Sequence, residues 1–214
     1  MSIEVVLADD HRIMREALRN SLEKASDINV VGEAEDGRAA ISLAVELNPR
    51  VVVMDISMPN LNGIEATRIL KSKKPEIKVV GLSQHFNKYY IMAMVEAGAD
   101  GFVPKKNSSI DELAQSIYSV ADGGFYLSPS IAREVAQAAL DPKEIFKNEK
   151  YKLTTRETEV LQLVAEGKTT KEIATVLNIS EKTVECHRGQ IKNKLNLSSI
   201  AEQTKFAMKQ GLTE

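Results

Sequence analysis

The chain has 214 residues, of which 43% are hydrophobic and 27% charged, a length and composition that suit two globular domains. It has no run of about 20 apolar residues and no basic head before an apolar N-terminal stretch, so we expect neither a membrane span nor a secretory signal. The single cysteine, Cys186, excludes an internal disulfide and a cysteine-ligated zinc site, which favours a cytoplasmic location. Formal charge is −4 over residues 1–124 and +2 over residues 151–214, an asymmetry too small to decide the partner.

The first part of the chain alternates short apolar runs with amphipathic segments. The runs predict five strands, at residues 4–8, 29–31, 51–54, 79–82 and 102–103. The segments predict helices at residues 11–25, 37–47, 63–73, 88–97 and 110–121. Strands that are apolar throughout are typical of a parallel sheet buried on both faces. We therefore predict an α/β fold with a doubly wound, five-stranded parallel sheet.

The alternation ends after residue 124. Ser128 and Pro129 are typical of a helix start and predict a helix at 128–140, and the mostly charged segment 141–150 predicts a hinge. From residue 153 no strand pattern appears, and four helices are predicted at residues 155–166, 170–177, 181–195 and 199–210. The predicted organisation is an α/β domain at 1–124, a linker helix and hinge at 125–152, and a small all-α domain at 153–214.

Acidic residues follow two of the predicted strands. Asp9 and Asp10 come after the first strand and Asp55 ends the third, while Ser83 and Lys105 end the fourth and fifth. Ligands of open α/β sheets bind at this edge, near the switch in strand order. Three carboxylates repel one another unless a cation lies between them, and oxygen ligands favour Mg²⁺. Each aspartate taken singly could instead be a helix cap or a turn residue.

Three motifs resemble one known family. They are Leu7-Ala-Asp-Asp-His11, Val53-Met-Asp-Ile-Ser-Met-Pro59 with Gly63 after it, and Gly98-Ala-Asp-Gly-Phe-Val-Pro-Lys105. On these motifs residues 1–124 resemble the flavodoxin-like receiver domain of two-component response regulators along their whole length. One departure is the order Pro104-Lys105, because receivers often have a proline after the lysine.

The resemblance implies roles for these residues. Asp55 would accept a phosphoryl group from a histidine kinase. Asp10, Asp55 and the backbone carbonyl of Ser57 would bind Mg²⁺ directly, with Asp9 acting through water. Ser83 would donate a hydrogen bond to the phosphoryl group and Lys105 would pair with it. Phe102 would rotate into the space that Ser83 leaves, although a plain buried strand residue is the alternative for this position. Ser57 and His85 would influence the lifetime of the phosphate.

The C-terminal helices contain a second pattern. Residues 170–177 and 181–195 are short helices joined by the tight turn Asn178-Ile-Ser180, and the second helix has exposed polar and basic residues. Such a pair is typical of a helix-turn-helix that reads the major groove. A helical bundle with a solvated charged face is the alternative.

The motifs Leu153-Thr-x-Arg-Glu157, Gly167-Lys-Thr-Thr-Lys-Glu-Ile-Ala174 and Ile179-Ser-x-Lys-Thr-Val-x-x-His-Arg188 resemble the LuxR-type helix-turn-helix. Together with a receiver, they make the chain similar to the NarL/FixJ class of response regulators. The resemblance implies that residues 181–195 form the recognition helix. The residues expected to face bases are Lys182, Glu185, Cys186 and Gly189, and those expected to touch phosphates are Thr183, Arg188 and Lys192. The residues expected to pair two copies are Ala201, Thr204, Lys205 and Met208.

We therefore predict a transcription factor that is not an enzyme, in which phosphorylation of Asp55 controls dimerisation and DNA binding. The expected partners are a histidine kinase, double-stranded DNA and a second copy of the chain, with Mg²⁺ as cofactor and no membrane. Haloacid-dehalogenase-type phosphatases also use an aspartate nucleophile, but they need an acid two residues later, where this chain has Ser57. A receiver-like sensor of a small ligand is the other alternative, although such domains often lose part of the acidic pair or the lysine.

Overall fold

The computed structural model describes residues 2–25, 27–84, 88–106, 108–133, 153–210 and 212–213. His85, the predicted hinge at 141–150 and the predicted helix at 128–140 beyond residue 133 lie outside the described residues. The chain divides into two compact units, Met1–Gln137 and Ala138–Glu214. Within the described residues no helix combines the length and the apolar character that crossing a membrane requires.

The N-terminal unit is built on a parallel sheet in which the strand order is β2-β1-β3-β4-β5-β6. The strands are β1 (Ile3–Ala8), β2 (Ile28–Ala34), β3 (Val51–Asp55), β4 (Lys78–Ser83), β5 (Gly101–Pro104) and β6 (Tyr126–Leu127). Every residue of the central strand β3 is buried, as its β-branched sequence predicts. The predicted parallel α/β fold is confirmed.

The predicted strand count was wrong by one, because the sheet of the described residues has six strands. The sixth strand, β6, pairs in parallel with β5 and lies in the range that the sequence assigned to the linker. The backbone N–H of Ser128 extends this pairing by donating to the carbonyl of Phe102 at 3.2 Å. Residues 129–133 are helical, and Ile131 within them is fully buried. Tyr126 and Leu127 lie between Gly123-Gly124 and Ser128-Pro129, residues that are typical of turns and helix starts, and this context hides the strand in the sequence.

Helices cover both faces of the sheet. They are α1 (Arg12–Ala25), α2 (Gly37–Leu47), α3 (Gly63–Lys73), α4 (Lys88–Glu96) and α5 (Ile110–Ala121). One apolar core lies beneath α2, α3 and α4 and includes Ile131, and the other lies beneath α1 and α5. The doubly wound arrangement leaves the carboxyl ends of the strands open at one edge of the sheet.

The C-terminal unit is all-helical in its described residues. Its helices are α6 (Thr155–Ala165), α7 (Thr170–Leu177), α8 (Glu181–Leu195) and α9 (Ile200–Lys209). Thr154, Thr169 and Ser199 start three of them with capping boxes, in which the side chain of the glutamate three residues later accepts from the cap backbone N–H. Ser180 caps α8, and Asn178 in the left-handed conformation ends α7. These signals explain why the predicted and observed helix bounds agree closely.

Candidate functional site

The ends of neighbouring strands bring three charged side chains together. Asp9 follows β1, Asp55 ends β3, and Lys105 follows β5. The Lys105 Nζ lies 2.7 Å from Oδ2 of Asp9 and 2.7 Å from Oδ2 of Asp55, and all three side chains are at most 5% exposed. The β4 strand separates β3 from β5, so the lysine reaches across the end of β4 to contact Asp55. The sequence predicted this grouping.

Gly63 explains how the loop after Asp55 packs so closely. Its backbone N–H donates to the carbonyl of Ile56 at 2.8 Å. A Cβ at this position would lie 1.9 Å from the carbonyl oxygen of Asp55, so only glycine fits without moving the backbone. Asn62, just before it, caps α3 by accepting from the N–H of Glu65 at 3.0 Å. The start of α3 is thereby fixed against the strand end that carries Asp55.

Burial and the neighbouring charges both shift the pKa values of Asp55 and Lys105. Burial raises the pKa of Asp55 to about 7, Lys105 opposes that rise, and the carboxylates of Asp9 and Asp10 add to it. Burial disfavours the charge of Lys105, but Asp55 and Asp9 outweigh it and raise the pKa of the lysine. The ionised form of Asp55 is therefore poorly stabilised near neutral pH, and a cation or a proton beside it would stabilise the site.

His11 is a member of the cluster that the sequence reasoning missed. Its Nδ1 lies 2.8 Å from Oδ1 of Asp10 and 3.4 Å from Oδ1 of Asp9. Its backbone N–H donates to Oδ1 of Asp9 at 2.9 Å. The Asp10 carboxylate is the main cause of a raised pKa of His11. The only signal in the sequence was the position of this histidine directly after the acidic pair.

The donor set fits a divalent cation. Asp9, Asp10, His11 and Asp55 each offer a ligand atom within 4.8 Å of the others. The buried atoms Oδ2 of Asp9 and Nζ of Lys105 are close enough to pair, yet neither has an aligned hydrogen bond among the described residues. A cluster of acidic residues of this kind is typical of Mg²⁺ binding, which keeps oxygen ligands and several waters.

The remaining predicted residues lie around this cluster. Ser83 is 4% exposed at the end of β4, and its carbonyl accepts from the N–H of Lys105 at 2.7 Å. Ser57 is half-buried in the loop after β3. Phe102 is 2% exposed, and its ring lies over Gly81, where a Cβ would be 3.1 Å from the ring and 2.8 Å from Met94. In this structure Phe102 is a core residue, and both interpretations of this position allow that.

The second predicted site lies on the outer face of α8. Val184, Ile191 and Leu195 face inward and are at most 5% exposed. The predicted DNA-contacting residues that are exposed are Lys182, Thr183, Glu185, Cys186, Gly189 and Lys192, and Arg188 is half-buried. A Cβ at Gly189 would meet nothing within 4 Å, so the glycine is not required by packing within the described residues. The turn and the exposed face together fit the helix-turn-helix that the sequence predicted.

Thr170 at the start of α7 contacts α8 and was not singled out from the sequence. Its hydroxyl donates to Oε1 of Glu185 at 2.7 Å and accepts from the guanidinium of Arg188 at 3.1 Å. Thr183 is engaged differently, because its hydroxyl lies 2.8 Å from that of the cap residue Ser180. The polar face of α8 is thus partly organised by the helix before it.

A buried glutamate ties α8 to α6. Oε2 of Glu157 accepts from Nζ of Lys194 at 2.7 Å and from the backbone N–H of Thr154 at 2.7 Å. Burial opposes the charge of Glu157, but Lys194 and Thr154 outweigh it and lower the pKa of the carboxyl group. Lys194 therefore contributes to the packing of the domain rather than to the outer face of α8.

The predicted pairing residues lie on the outer side of α9. Ala201, Lys205 and Met208 are exposed and Thr204 is half-buried. Gln203 and Ala207, which lie one helical turn apart, face the core. The exposed Ile200 extends the same surface at its N-terminal end and was not predicted.

Two family models match the chain, each over one of the parts described above. Residues 5–118 match the response regulator receiver domain, and residues 151–207 match the LuxR family of bacterial regulatory proteins. The chain belongs to the response regulators. In this family the receiver and the LuxR-type domain make a transcription factor rather than an enzyme.

Relatives of this response regulator match it over both domains. The transcriptional regulatory protein DegU of Brevibacillus brevis is 36% identical, over 98% of this chain and 94% of its own length. The response regulator UvrY of Escherichia coli K12 is 33% identical, over 98% of this chain and 95% of its own length. A structure of RcsB from Salmonella enterica serovar Typhimurium, bound to a promoter with a phosphomimetic, is 27% identical, with a TM-score of 0.65 over 96% of this chain and 98% of that one.

Proposed function

We propose that Asp55 is the phosphoacceptor of this regulator, and that a histidine kinase is the donor. The observation that carries the proposal is the lysine bridge, in which Nζ of Lys105 lies 2.7 Å from the carboxylates of both Asp9 and Asp55. A phosphoryl group on Asp55 adds about 1.5 to 2 negative charges. Lys105 is placed to pair with that charge, and the Ser83 hydroxyl at the neighbouring strand end to donate to it.

The metal ligands that we propose are Asp10, Asp55 and the backbone carbonyl of Ser57, with Asp9 acting through water. Bound Mg²⁺ would neutralise charge on the transferring phosphoryl group. The chain's own contribution is to bury Asp55, to hold its backbone through the close approach of Gly63, and to keep Lys105 within reach. Phe102, whose ring lies over Gly81 of β4, is the residue that we propose responds when Ser83 moves.

We infer that this switch controls pairing of the chain and its affinity for DNA in the cytoplasm. The exposed residues of α8 would contact DNA, with Lys182, Glu185, Cys186 and Gly189 toward bases and Thr183, Arg188 and Lys192 toward phosphates. Two copies joined through α9 would read two half-sites about one helical turn apart, and the α9 residues concerned are Ala201, Thr204, Lys205 and Met208. The receiver, whose sheet includes β6, then acts on the domain at 153–214 through the segment between them.

The test uses beryllofluoride with Mg²⁺, which mimics a phosphoryl group on aspartate. Binding sites are first selected from random duplex DNA with the full chain. The mimic is then expected to change operator affinity or dimerisation by about 5- to 150-fold, the range of ordinary coupling free energies. Asp55→Asn should abolish the change while keeping basal binding. An unchanged affinity and oligomeric state in the wild-type chain, with the mimic bound, would contradict the proposal.

A further inference from the structure

Three side chains form a hydrogen-bonded cluster on the DNA-facing side of the C-terminal unit. The Thr170 hydroxyl donates to Oε1 of Glu185 at 2.7 Å and accepts from a guanidinium nitrogen of Arg188 at 3.1 Å. The same guanidinium nitrogen lies 3.8 Å from Oε1 of Glu185. A hydroxyl has one proton to donate and lone pairs to accept with, so this threonine joins an acceptor and a donor that lie three residues apart on α8.

The Thr170 hydroxyl has no role in starting its own helix. Thr169 is the cap of α7, and its capping box with Glu172 satisfies the first backbone N–H groups. Thr170 is therefore free to reach toward α8 from the first turn of α7. The hydrogen bonds of its hydroxyl therefore go to side chains of α8 rather than to the cap of α7.

Glu185 needs such a contact if it is to read DNA. Its side chain is 60% exposed, and a free carboxylate on this face would be repelled by DNA phosphates and would lose rotamer freedom on binding. The Thr170 hydroxyl restrains the carboxylate, and Arg188 places a positive charge beside it. A carboxylate in the major groove accepts a hydrogen bond from the exocyclic amino group of cytosine.

We infer that Thr170 is a positioning residue for sequence readout, which holds Glu185 ready to accept from a cytosine N4 amino group and Arg188 beside it. This inference rests on the proposed DNA-binding function. It assigns to Arg188 a second task besides contact with phosphates, namely to offset the charge of Glu185. It also predicts that the operator of this regulator has a cytosine at the base pair that Glu185 faces.

The experiment compares four forms of the full chain: the wild type, Thr170→Val, Thr170→Ser and Thr175→Val. Valine keeps the shape of threonine and removes only the hydroxyl, and serine restores the hydroxyl. Thr175 is a matched control on the same helix, because it lies about 140° around the helix axis from Thr170 and its hydroxyl donates to the Lys171 carbonyl. A fifth form, Glu185→Gln, identifies the base pair that Glu185 contacts. It is the position at which replacing cytosine by thymine lowers the affinity of the wild type but not that of Glu185→Gln.

The measured quantity is the ratio of affinities for two duplexes that differ at that base pair, cytosine against thymine, together with the salt dependence of binding. We expect a ratio of about 5 to 20 for the wild type and Thr175→Val, since a good contact to one base discriminates by this order. Thr170→Val should bring the ratio near 1, and Thr170→Ser should restore it. The slope of affinity against salt should be the same in all four, because none of the substitutions adds or removes a charged group.

Each result decides a different claim. A Thr170→Val ratio equal to that of the wild type overturns this inference and leaves the proposed function standing. A wild-type chain that discriminates at no base pair through Glu185 also overturns it. Failure of the wild-type chain to select any sequence from random DNA overturns both the inference and the proposed readout by α8.

Discussion

Asp55 shows the conflict between stability and function most directly. Its side chain is 3% exposed, and Asp9, equally buried, lies close enough to share the amino group of Lys105. One lysine cannot fully compensate the buried carboxylates, which is why burial raises the pKa of Asp55 to about 7. A buried carboxylate that is costly to ionise is the property that the proposed phosphoacceptor needs, because a cation or a phosphoryl group then has a large effect on it.

Asp55→Asn is therefore expected to stabilise the chain in a buffer free of divalent cations. With a pKa raised from 3.8 to about 7, the folded chain keeps a proton that the unfolded chain releases between these values. The free energy of unfolding of the wild type consequently falls as pH rises through this window. Asparagine does not titrate, so its advantage should grow by about 2–3 kcal/mol between pH 5 and pH 8.

The measurement is urea unfolding of both proteins in EDTA at the two pH values. Saturating Mg²⁺ at pH 8 should reduce the advantage of the variant, because the cation stabilises the wild-type carboxylates and asparagine weakens the ligand set. An advantage that is the same at pH 5 and pH 8 would show that ionised Asp55 does not destabilise the fold.

Residues of the site differ in how far the sequence could place them. Asp9, Asp55 and Lys105 were predictable because each ends or follows a strand, and parallel strands end at one edge of the sheet. His11 and Thr170 were not predictable, because their contacts depend on side-chain rotamers. His11 contacts its neighbour Asp10, and Thr170 contacts Glu185 on another helix. Such contacts leave no periodic signal in the sequence.

Whole elements were more predictable where they carry their own end signals. The bounds of α3, α5, α7 and α8 agree with the sequence to within a residue, since caps such as Ser109 and Ser180 mark their starts. The β6 strand carries no such signal, because its two residues are flanked by glycine, serine and proline. Its position is set by backbone pairing with β5 and by the burial of Ile131 that follows it.

Ile131→Ala tests whether the segment after β6 stabilises the receiver. Ile131 is fully buried in the core beneath α2, α3 and α4, so its truncation should lower the free energy of unfolding of the receiver by about 2–4 kcal/mol. Ile13→Ala is the matched control, because Ile13 is 84% exposed and alanine favours its helix. Chemical unfolding followed by circular dichroism measures both variants, and equal small effects would mean that the segment does not belong to the receiver core.

At the scale of the whole molecule, each of the two units has its own apolar core residues among those that the structure describes. The receiver cores consist of residues up to Ile131, and the core of the second unit begins at Val160, with Leu153 packed against it. The charge asymmetry of the chain follows the same division. A regulator built in this way can keep its DNA-binding domain intact whatever the state of Asp55, so the proposed control would act through coupling between the units rather than through folding of the second one.

The fragment 151–214 is therefore expected to fold alone and to bind the selected operator without any response to beryllofluoride. Its core is closed by α6 to α9 and the ion pair of Glu157 with Lys194, and domains of about 60 residues commonly fold by themselves. Thermal unfolding should be cooperative, and titration of labelled operator should give the same affinity with and without the mimic and Mg²⁺.

A fragment that is unfolded would show that the receiver supports the structure of the second unit. If the fragment binds and the full chain responds, the ratio of their affinities measures the coupling free energy that the proposed phosphorylation of Asp55 would overcome or supply.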